Sequence, residues 1–245
     1  MSTEPKSPPR QGDKTRYQAR LARVRALTET TKHFEFEVLG PKPFEFTAGQ
    51  FISLYLPRNG AEDNRAYSLA SAPNPTRFNL CLNRVPGGFF SNYLCDLAPG
   101  ATISFEGPFG FFVAHPSPHD SVFVATGTGI APIRGILEDL FARGCSRQVW
   151  LIFGVRYAET ILYREEFEAL AARQPNFHFW PTLSRPSADW TGRRGHVQEH
   201  VERLVVERPD LQVYLCGLKA MVDDLRQRLR ARGLDRKQIR YEKYD

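Results

Sequence analysis

Arg65, Tyr67 and Ser68 stand within four positions of one another in the segment NRAYSLAS (64–71), which otherwise reads as a β-strand. A strand hides one polar side chain per face by chance. A fixed charge, a phenol and a second hydroxyl side by side ask for a further reason. The next candidate is the turn ATGTGIAPIRGIL (125–137), which joins a buried strand to a helix. Gly127 and Gly129 permit a tight turn and let backbone N–H groups approach a ligand closely. The helix start adds partial positive charge, so the loop suits a diphosphate. Pro132 falls in the first helical turn, where its missing N–H costs nothing. It also stands where the pattern GxGxxG would have its third glycine. Three more strand ends carry similar chemistry. FGVR places Gly154 and Arg156, TLSRP places Ser184 and Arg185, and YLCGLKAM places Cys216 and Gly217. Ligands of open α/β sheets bind at the carboxyl ends of strands.

Two kinds of element must hold these residues. In the first half, RYQARLARVRAL, HFEFEVLG, QFISLYLP, AYSLAS, RFNLCLNRV and ATISFEGPFG are short β-like segments punctuated by Gly, Pro and Asn. Regularly spaced short strands predict a small closed antiparallel barrel of six strands. GFFSNYLCDL interrupts them as a short helix. AHPSPHD (114–120) has two prolines and no periodicity, and marks a domain boundary. Beyond it, SVFVATG, QVWLIFGV, FHFWPTLS and LQVYLCG alternate with helical segments. In the last helix Leu218, Met221, Val222, Leu225 and Leu229 share one face. That alternation predicts a parallel sheet with helices on both faces. The expected division is a flexible tail over 1–14, a barrel over 15–115 and an α/β domain over 116–245.

Composition bounds the function. The chain has 245 residues, 42% hydrophobic and 24% charged, which excludes disordered and collagen-like classes. No apolar run approaches the roughly 18 residues of a membrane helix, and MSTEPKSPPRQGDK has no apolar core of a secretory signal. A cytoplasmic protein is expected, with no membrane insertion. Cys81, Cys95, Cys145 and Cys216 form no CxxC pair, so neither a zinc site nor an iron–sulfur run is expected, and no metal. The net charge of +6 suits a solvated basic surface or an acidic protein partner. No nucleic-acid-binding signature accompanies it.

In this order, RAYS, CLNRV, GGFFSNYLCDLAPGA, EGPFG, ATGTGIAPIR, LYREEFEAL, LSRP, VYLCGLKAM and YEKY resemble the ferredoxin–NADP⁺ reductase family from about residue 16 to 245. The resemblance implies an N-terminal FAD-binding β-barrel and a C-terminal NADP-binding α/β domain. It implies a flavoprotein oxidoreductase that moves hydride between NADPH and flavin N5, and single electrons to or from a ferredoxin or flavodoxin. The partner would be an acidic redox protein, and the chain a monomer.

The same resemblance assigns roles. Arg65, Ala66, Tyr67 and Ser68 belong to the FAD site, with Arg65 on the pyrophosphate, Tyr67 against a ring face and Ser68 beside N5. Cys81, Leu82, Asn83 and Val85 flank the ribityl and adenosine. Gly87, Gly88, Phe89, Phe90 and Ser91 resemble the second pyrophosphate loop. Thr128, Gly129, Ile130, Ala131, Gly154, Val155, Arg156, Cys216, Gly217, Leu218 and Met221 fall on the nucleotide side. Ser184 and Arg185 match the pair that holds the 2′-phosphate, and Arg193 or Arg194 of WTGRRGHV contributes. Tyr244 covers the other flavin face and yields to nicotinamide, although Asp245 follows it here. Ser68, Cys216, Glu242 and Tyr244 frame the reacting contact, Cys216 by positioning. As thiols, Cys81, Cys95 and Cys145 read as structural. Alternatives are an NADH-dependent oxygenase-reductase component or flavin reductase, since those enzymes also carry a Trp-x-Gly-Arg run, and a non-catalytic electron-transfer subunit.

Overall fold

The computed structural model describes residues 15–115 and 117–244; the tail expected over 1–14, Pro116 and Asp245 lie outside them. Six strands build the first half: β1 (Arg16–Ala26), β2 (Thr31–Leu39), β3 (Phe51–Arg58), β4 (Ala61–Ser68), β5 (Arg77–Asn83) and β6 (Thr102–Phe109). They form one antiparallel sheet in the order β4-β3-β6-β1-β2-β5. Its two outer strands meet through a bridge between Leu69 and Leu80, and through the Ala70 N–H to the Asn79 carbonyl at 2.8 Å. The sheet thereby becomes a barrel. Period-two alternation fills its interior: Ile52, Leu54 and Leu56 of β3 are buried while Phe51, Ser53 and Tyr55 are not. Phe34, Phe36, Phe44, Phe78 and Phe105 complete the core. Helix α1 (Phe89–Asp96) adds Phe90, Leu94 and Cys95 to it.

The second half is a parallel sheet of β7 (Ser121–Thr126), β8 (Val149–Val155), β9 (Phe177–Leu183), β10 (Arg193–Arg194), β11 (Gln212–Leu218) and β12 (Ile239–Tyr244). The order is β10-β9-β8-β7-β11-β12. On one face α2 (Ile130–Ala142) and α3 (Arg164–Arg173) pack against Phe123, Ala125, Leu151 and Phe153. On the other, α4 (Val197–Glu207) and α5 (Lys219–Ala231) pack against Val122, Val124, Ile152 and Leu215. Both faces of each inner strand are buried, which is why these strands read as continuous apolar runs. The chain winds outward from β7 to one edge, then returns for β11 and β12. The switch point between β7 and β11 opens a crevice at their carboxyl ends. No helix among the described residues is long and apolar enough to cross a membrane.

Three elements depart from the expected pattern. β4 begins at Ala61, earlier than AYSLAS suggests, because Ala61–Arg65 is mostly solvent-facing and has no alternation to read. β10 is two residues long. The ending YEKY is a true strand, paired parallel to β11 with Glu242 opposite Cys216.

The barrel and the sheet share a core. Ala48, Ala70, Cys81 and Phe112 pack with Ile133, Ile136 and Leu137 of α2. Gly135 makes this approach possible, since a Cβ there would stand 2.6 Å from the Ser71 carbonyl oxygen. Beside it lies Arg134, only 8% exposed. Its Nη1 donates to the Ala70 carbonyl and its Nη2 pairs with Glu138 at 2.6 Å. Its Nε is 2.7 Å from Glu166, off the N–H axis, so that contact is charge–charge. Glu138 in turn accepts from the Ala72 N–H at 2.9 Å. The guanidinium lies 4.9 Å over the Tyr163 ring, and the Tyr163 hydroxyl is 2.9 Å from His33 Nδ1 on β2.

Burial, with Arg134, Arg25 and Arg23 nearby, lowers the pKa of His33 from 6.5 to about 3, while Glu35 stands 3.9 Å away on the other side. The folded protein therefore holds a neutral imidazole. Below pH 6.5 the unfolded chain takes up a proton that the folded chain refuses until about pH 3, so stability falls across that window. His33→Gln removes this contribution. Urea melts at about pH 7 and about pH 4 should show a shallower loss for the variant, by up to about 1.4 kcal/mol per pH unit. Equal slopes would contradict a neutral buried His33.

Candidate active site

Ser68 ends β4 and is 9% exposed, at the point where the barrel meets the parallel sheet. Its Oγ donates to Glu242 Oε1 at 2.8 Å and accepts from the Tyr244 hydroxyl at 2.5 Å. Strand alternation on β12 puts Glu242 and Tyr244 on the same face. Cys216 is fully buried opposite Glu242 in the β11–β12 ladder and lies in reach of the Tyr244 hydroxyl. All four residues expected at the reacting contact thus converge, from three strands and both halves of the chain. Burial raises the Glu242 carboxyl above its usual range, opposed by the bonds from Ser68 and Tyr244. It also pushes the Tyr244 phenol and the Cys216 thiol well above their ordinary values. The thiol stays protonated and is no nucleophile at neutral pH.

On the barrel side, Arg65 and Tyr67 share one face of β4. Arg65 is exposed and makes no ion pair or side-chain hydrogen bond among the described residues. Tyr67 packs half-buried against the barrel core, its pKa raised to about 12 by that burial. Ala66, on the other face, is exposed. The turn before α1 supplies a cradle. Gly87 has φ +71°, and a Cβ on Gly88 would stand 2.7 Å from Ser91 Oγ. Ser91 Oγ accepts from the Val85 N–H at 3.1 Å, so this hydroxyl shapes the loop. Val85 and Phe89 are exposed beside it, while Phe90 is buried. Leu82 lies in the barrel core, and Asn83 accepts from the Thr31 hydroxyl. Cys81 stands apart from these residues. It is buried in the shared core near the Tyr163 hydroxyl, and burial raises its pKa to about 11. An exposed guanidinium, an aromatic face and a glycine cradle at a helix start fit a dinucleotide carrying a flat ring.

On the sheet side, Gly127–Gly129 form a 3₁₀ turn that runs into α2. Gly129 abuts the end of β11: a Cβ would stand 2.6 Å from the Gly217 nitrogen and collide with the Cys216 carbonyl. Thr128 is half-buried above Ile130 and Ala131, which lie in the core. At the next strand ends, Ser184 N–H donates to the Val155 carbonyl and Arg185 N–H to the Arg156 carbonyl, each at 3.0 Å. This sets the exposed Arg156 and Arg185 side by side, beyond Gly154. Arg194 donates from Nη2 to the Trp190 carbonyl at 2.6 Å, and to those of Ser187 and Ala188. Arg193 lies 3.9 Å over the Trp180 ring. Leu218 is 61% exposed, whereas Met221 points into the core beneath α4 and α5. These residues fit a second dinucleotide at the switch point. Among the described residues no cluster of metal-ligating side chains occurs.

Sequence reasoning missed two neighbours. Gly110, at φ +92°, lies where a Cβ would reach within 2.8 Å of the Phe51 ring and 4.0 Å of Glu242 Oε2. Its motif EGPFG was visible without a role. Thr126 Oγ1 accepts from the Leu218 N–H at 3.1 Å and so ties the two strand ends across the crevice. Its place just before the glycine turn was the only signal.

Residues 18–113 match the family of oxidoreductase FAD-binding domains, and residues 123–227 that of oxidoreductase NAD-binding domains. The chain is 44% identical over 238 residues to ferredoxin–NADP reductase B of Sorangium cellulosum, covering 94% of this chain and 98% of that protein. It is 31% identical to the toluate 1,2-dioxygenase electron transfer component of Pseudomonas putida, covering 93% of this chain and 67% of that protein. Among solved structures, a ferredoxin NADP⁺ reductase from Neisseria gonorrhoeae with bound FAD and NADP superposes with a TM-score of 0.81 at 26% identity, covering 93% and 98% of the two chains.

The two glycine loops should respond differently to a methyl group. Gly217 has φ +136° and its Cβ would strike Thr126, so Gly217→Ala should cost roughly 2 kcal/mol or more and abolish dinucleotide binding. Gly87 has open space around it, so Gly87→Ala should cost only about 1 kcal/mol of backbone strain. Melting curves together with nucleotide titration check the ranking, and an equal cost at both sites would refute it.

Proposed function

The chain belongs to the ferredoxin–NADP⁺ reductase family, and from that premise we propose that it exchanges electrons between NADPH and an acidic ferredoxin or flavodoxin through bound FAD. The reading rests on one observation above others: Ser68, Glu242, Tyr244 and Cys216 meet where the barrel and the sheet join. FAD and NADP(H), when bound, supply the hydride and single-electron chemistry. The protein's own residues supply position and protons. Arg65 and the Gly87–Ser91 loop hold the FAD phosphates, and Tyr67 offers a ring face. Ser68 Oγ stands between a carboxylate acceptor and a phenol donor, so it can relay a proton to Glu242 only as it takes one from Tyr244. Glu242, with its raised pKa, holds that proton more readily than an exposed carboxylate. Cys216 stays a neutral thiol and fixes the depth of the crevice floor.

NADPH is favoured by Ser184 and Arg185, with Arg156 beside them. Arg194 is tied to loop carbonyls and Arg193 to Trp180, so these two shape the wall of the phosphate site. The positive surface favours encounter with an acidic carrier. The domains are proposed to divide between residues 115 and 116.

Pure protein should be yellow and should bleach when NADPH is added without oxygen. A protein that stays colourless after incubation with FAD would overturn the reading. For the nucleotide, Arg185→Ala should lower kcat/KM for NADPH about 10- to 100-fold relative to NADH, the worth of charge-assisted hydrogen bonds to phosphate. An unchanged ratio would leave NADH as the natural donor.

A further inference from the structure

β12 is the outermost strand of its sheet and pairs with β11 alone. A short strand at the edge of a sheet opens at lower cost than a central one. Yet this strand carries Glu242 and Tyr244, which must stand on Ser68. Strand alternation separates its two faces. Arg240, Glu242 and Tyr244 point toward the barrel, while Ile239, Tyr241 and Lys243 point toward α5, where Ile239 joins the α4–α5 core. Whatever holds Tyr241 and Lys243 therefore also holds the carboxylate and the phenol behind them.

The holding group is one carboxylate. Asp223 Oδ1 lies 2.6 Å from Lys243 Nζ, and Oδ2 accepts from Lys219 Nζ at 2.8 Å. Arg226 Nη1 stands 3.5 Å from Asp223 Oδ1, and its guanidinium lies 3.7 Å over the Tyr241 ring. Three cations thus face Asp223. The neighbouring Asp224 is engaged elsewhere, by Gln198 and Arg228. Lys219 is the first residue of α5, directly after the Cys216–Leu218 end of β11 on the nucleotide side. Asp223 therefore links that turn to the last strand.

We propose that Asp223 is a positioning residue: by gripping Lys243 and Lys219 it clamps the outer face of the C-terminal strand to α5 and so keeps Glu242 and Tyr244 on Ser68. The proposal deepens the reading of this site as a flavin–nicotinamide crevice and rests on it for the kinetic part alone. Exposed ion pairs are individually weak. Here they act on an edge strand, whose population responds to a small interaction more than that of a central strand. The carboxylate's pKa, pushed down to about 2 by Lys219 and Lys243, keeps the clamp charged at every working pH. Neutralising Asp223 does more than remove an attraction, because it leaves Lys243 of β12 and Arg226 of α5 together over the Tyr241 ring. Their repulsion pushes β12 away from α5.

The test uses Asp223→Asn, with Asp223→Glu as the conservative control, in the purified 245-residue chain. Hydrogen exchange read by mass spectrometry should rise about tenfold at residues 241–244 in the Asn variant, with β7 and β8 unchanged. The Glu variant should stay close to the parent, and about 1 M NaCl should move the parent toward the Asn variant. With FAD bound, the Asn variant should show a lower KM for NADPH, since Tyr244 yields more readily, together with a lower kcat as Ser68 loses Glu242. Unchanged exchange at 241–244, or an equal rise throughout the sheet, would overturn the proposal. The exchange result does not need the cofactor. A colourless protein with the expected exchange pattern would sink the flavoprotein reading and leave the clamp standing.

Discussion

Everything in the crevice depends on the hydrogen bond from Ser68 Oγ to Glu242 Oε1, which joins residues 174 positions apart. Ser68 ends a barrel strand, and Glu242 sits in the last strand of a parallel sheet. Neither domain alone can make the contact. It exists because the two halves are held in one orientation by a shared core and by Arg134. That arginine reaches the carbonyl of Ala70, two residues beyond Ser68. A buried guanidinium is costly unless its partners are well placed. Here the partners come from the loop after β4 and from α2 and α3, so the same group that needs pairing fixes the angle between the halves. The hydroxyl of Ser68 is thus positioned from behind.

The sheet contributes through close approach rather than through charge. Gly129 and Gly217 let the turn after β7 and the end of β11 touch backbone to backbone, and the Thr126 hydroxyl closes the seam. A side chain at either glycine would pry the strand ends apart. The switch point therefore becomes a narrow crevice, with Cys216 at its floor and Tyr244 against its wall. Burial keeps the Cys216 thiol and the Tyr244 phenol neutral and raises the Glu242 carboxyl. A protonated thiol and phenol beside a carboxyl of raised pKa form a site suited to passing a proton along hydroxyl oxygens.

Much of this was legible in the sequence, and the reasons it was legible are physical. Period-two alternation in β3 and continuous apolar runs in β7 and β8 reflect one-sided and two-sided burial, so the barrel and the parallel sheet could be read. The motifs RAYS, YLCG and YEKY contain the four converging residues, and GTGIAP the turn beside them, because polar groups and glycines at strand ends stand out from an apolar pattern. What could not be read depends on distant partners. Arg134 looks like a surface residue of an amphipathic helix until Tyr163, Glu166 and Ala70 surround it. β12 has two charged residues in its last half and no apolar pattern, so only its pairing with β11 makes it a strand. Cys81 was grouped with its neighbours in CLNRV, yet its side chain faces the junction between the domains. Adjacent residues in a strand point to opposite sides, and a motif does not say which side matters.

The arginines show how charge is divided between architecture and ligand. Net charge alone says little, since most of the described guanidiniums are bonded within the protein. Arg134 locks the domains, Arg194 ties a loop, Arg193 covers Trp180 and Arg226 covers Tyr241. Arg65, Arg156 and Arg185 differ. They are exposed, make no ion pair or side-chain hydrogen bond among the described residues, and lie on β4 and just beyond β8 and β9. An unpaired guanidinium in water gains little by itself, so three of them around one cleft are explained by what they meet there. The FAD-binding and NAD-binding domain families call for a phosphate-bearing ligand on each side, and a guanidinium fork suits phosphate oxygens. Where the two sides meet, the Ser68 hydroxyl already bonds both the Glu242 carboxyl and the Tyr244 phenol.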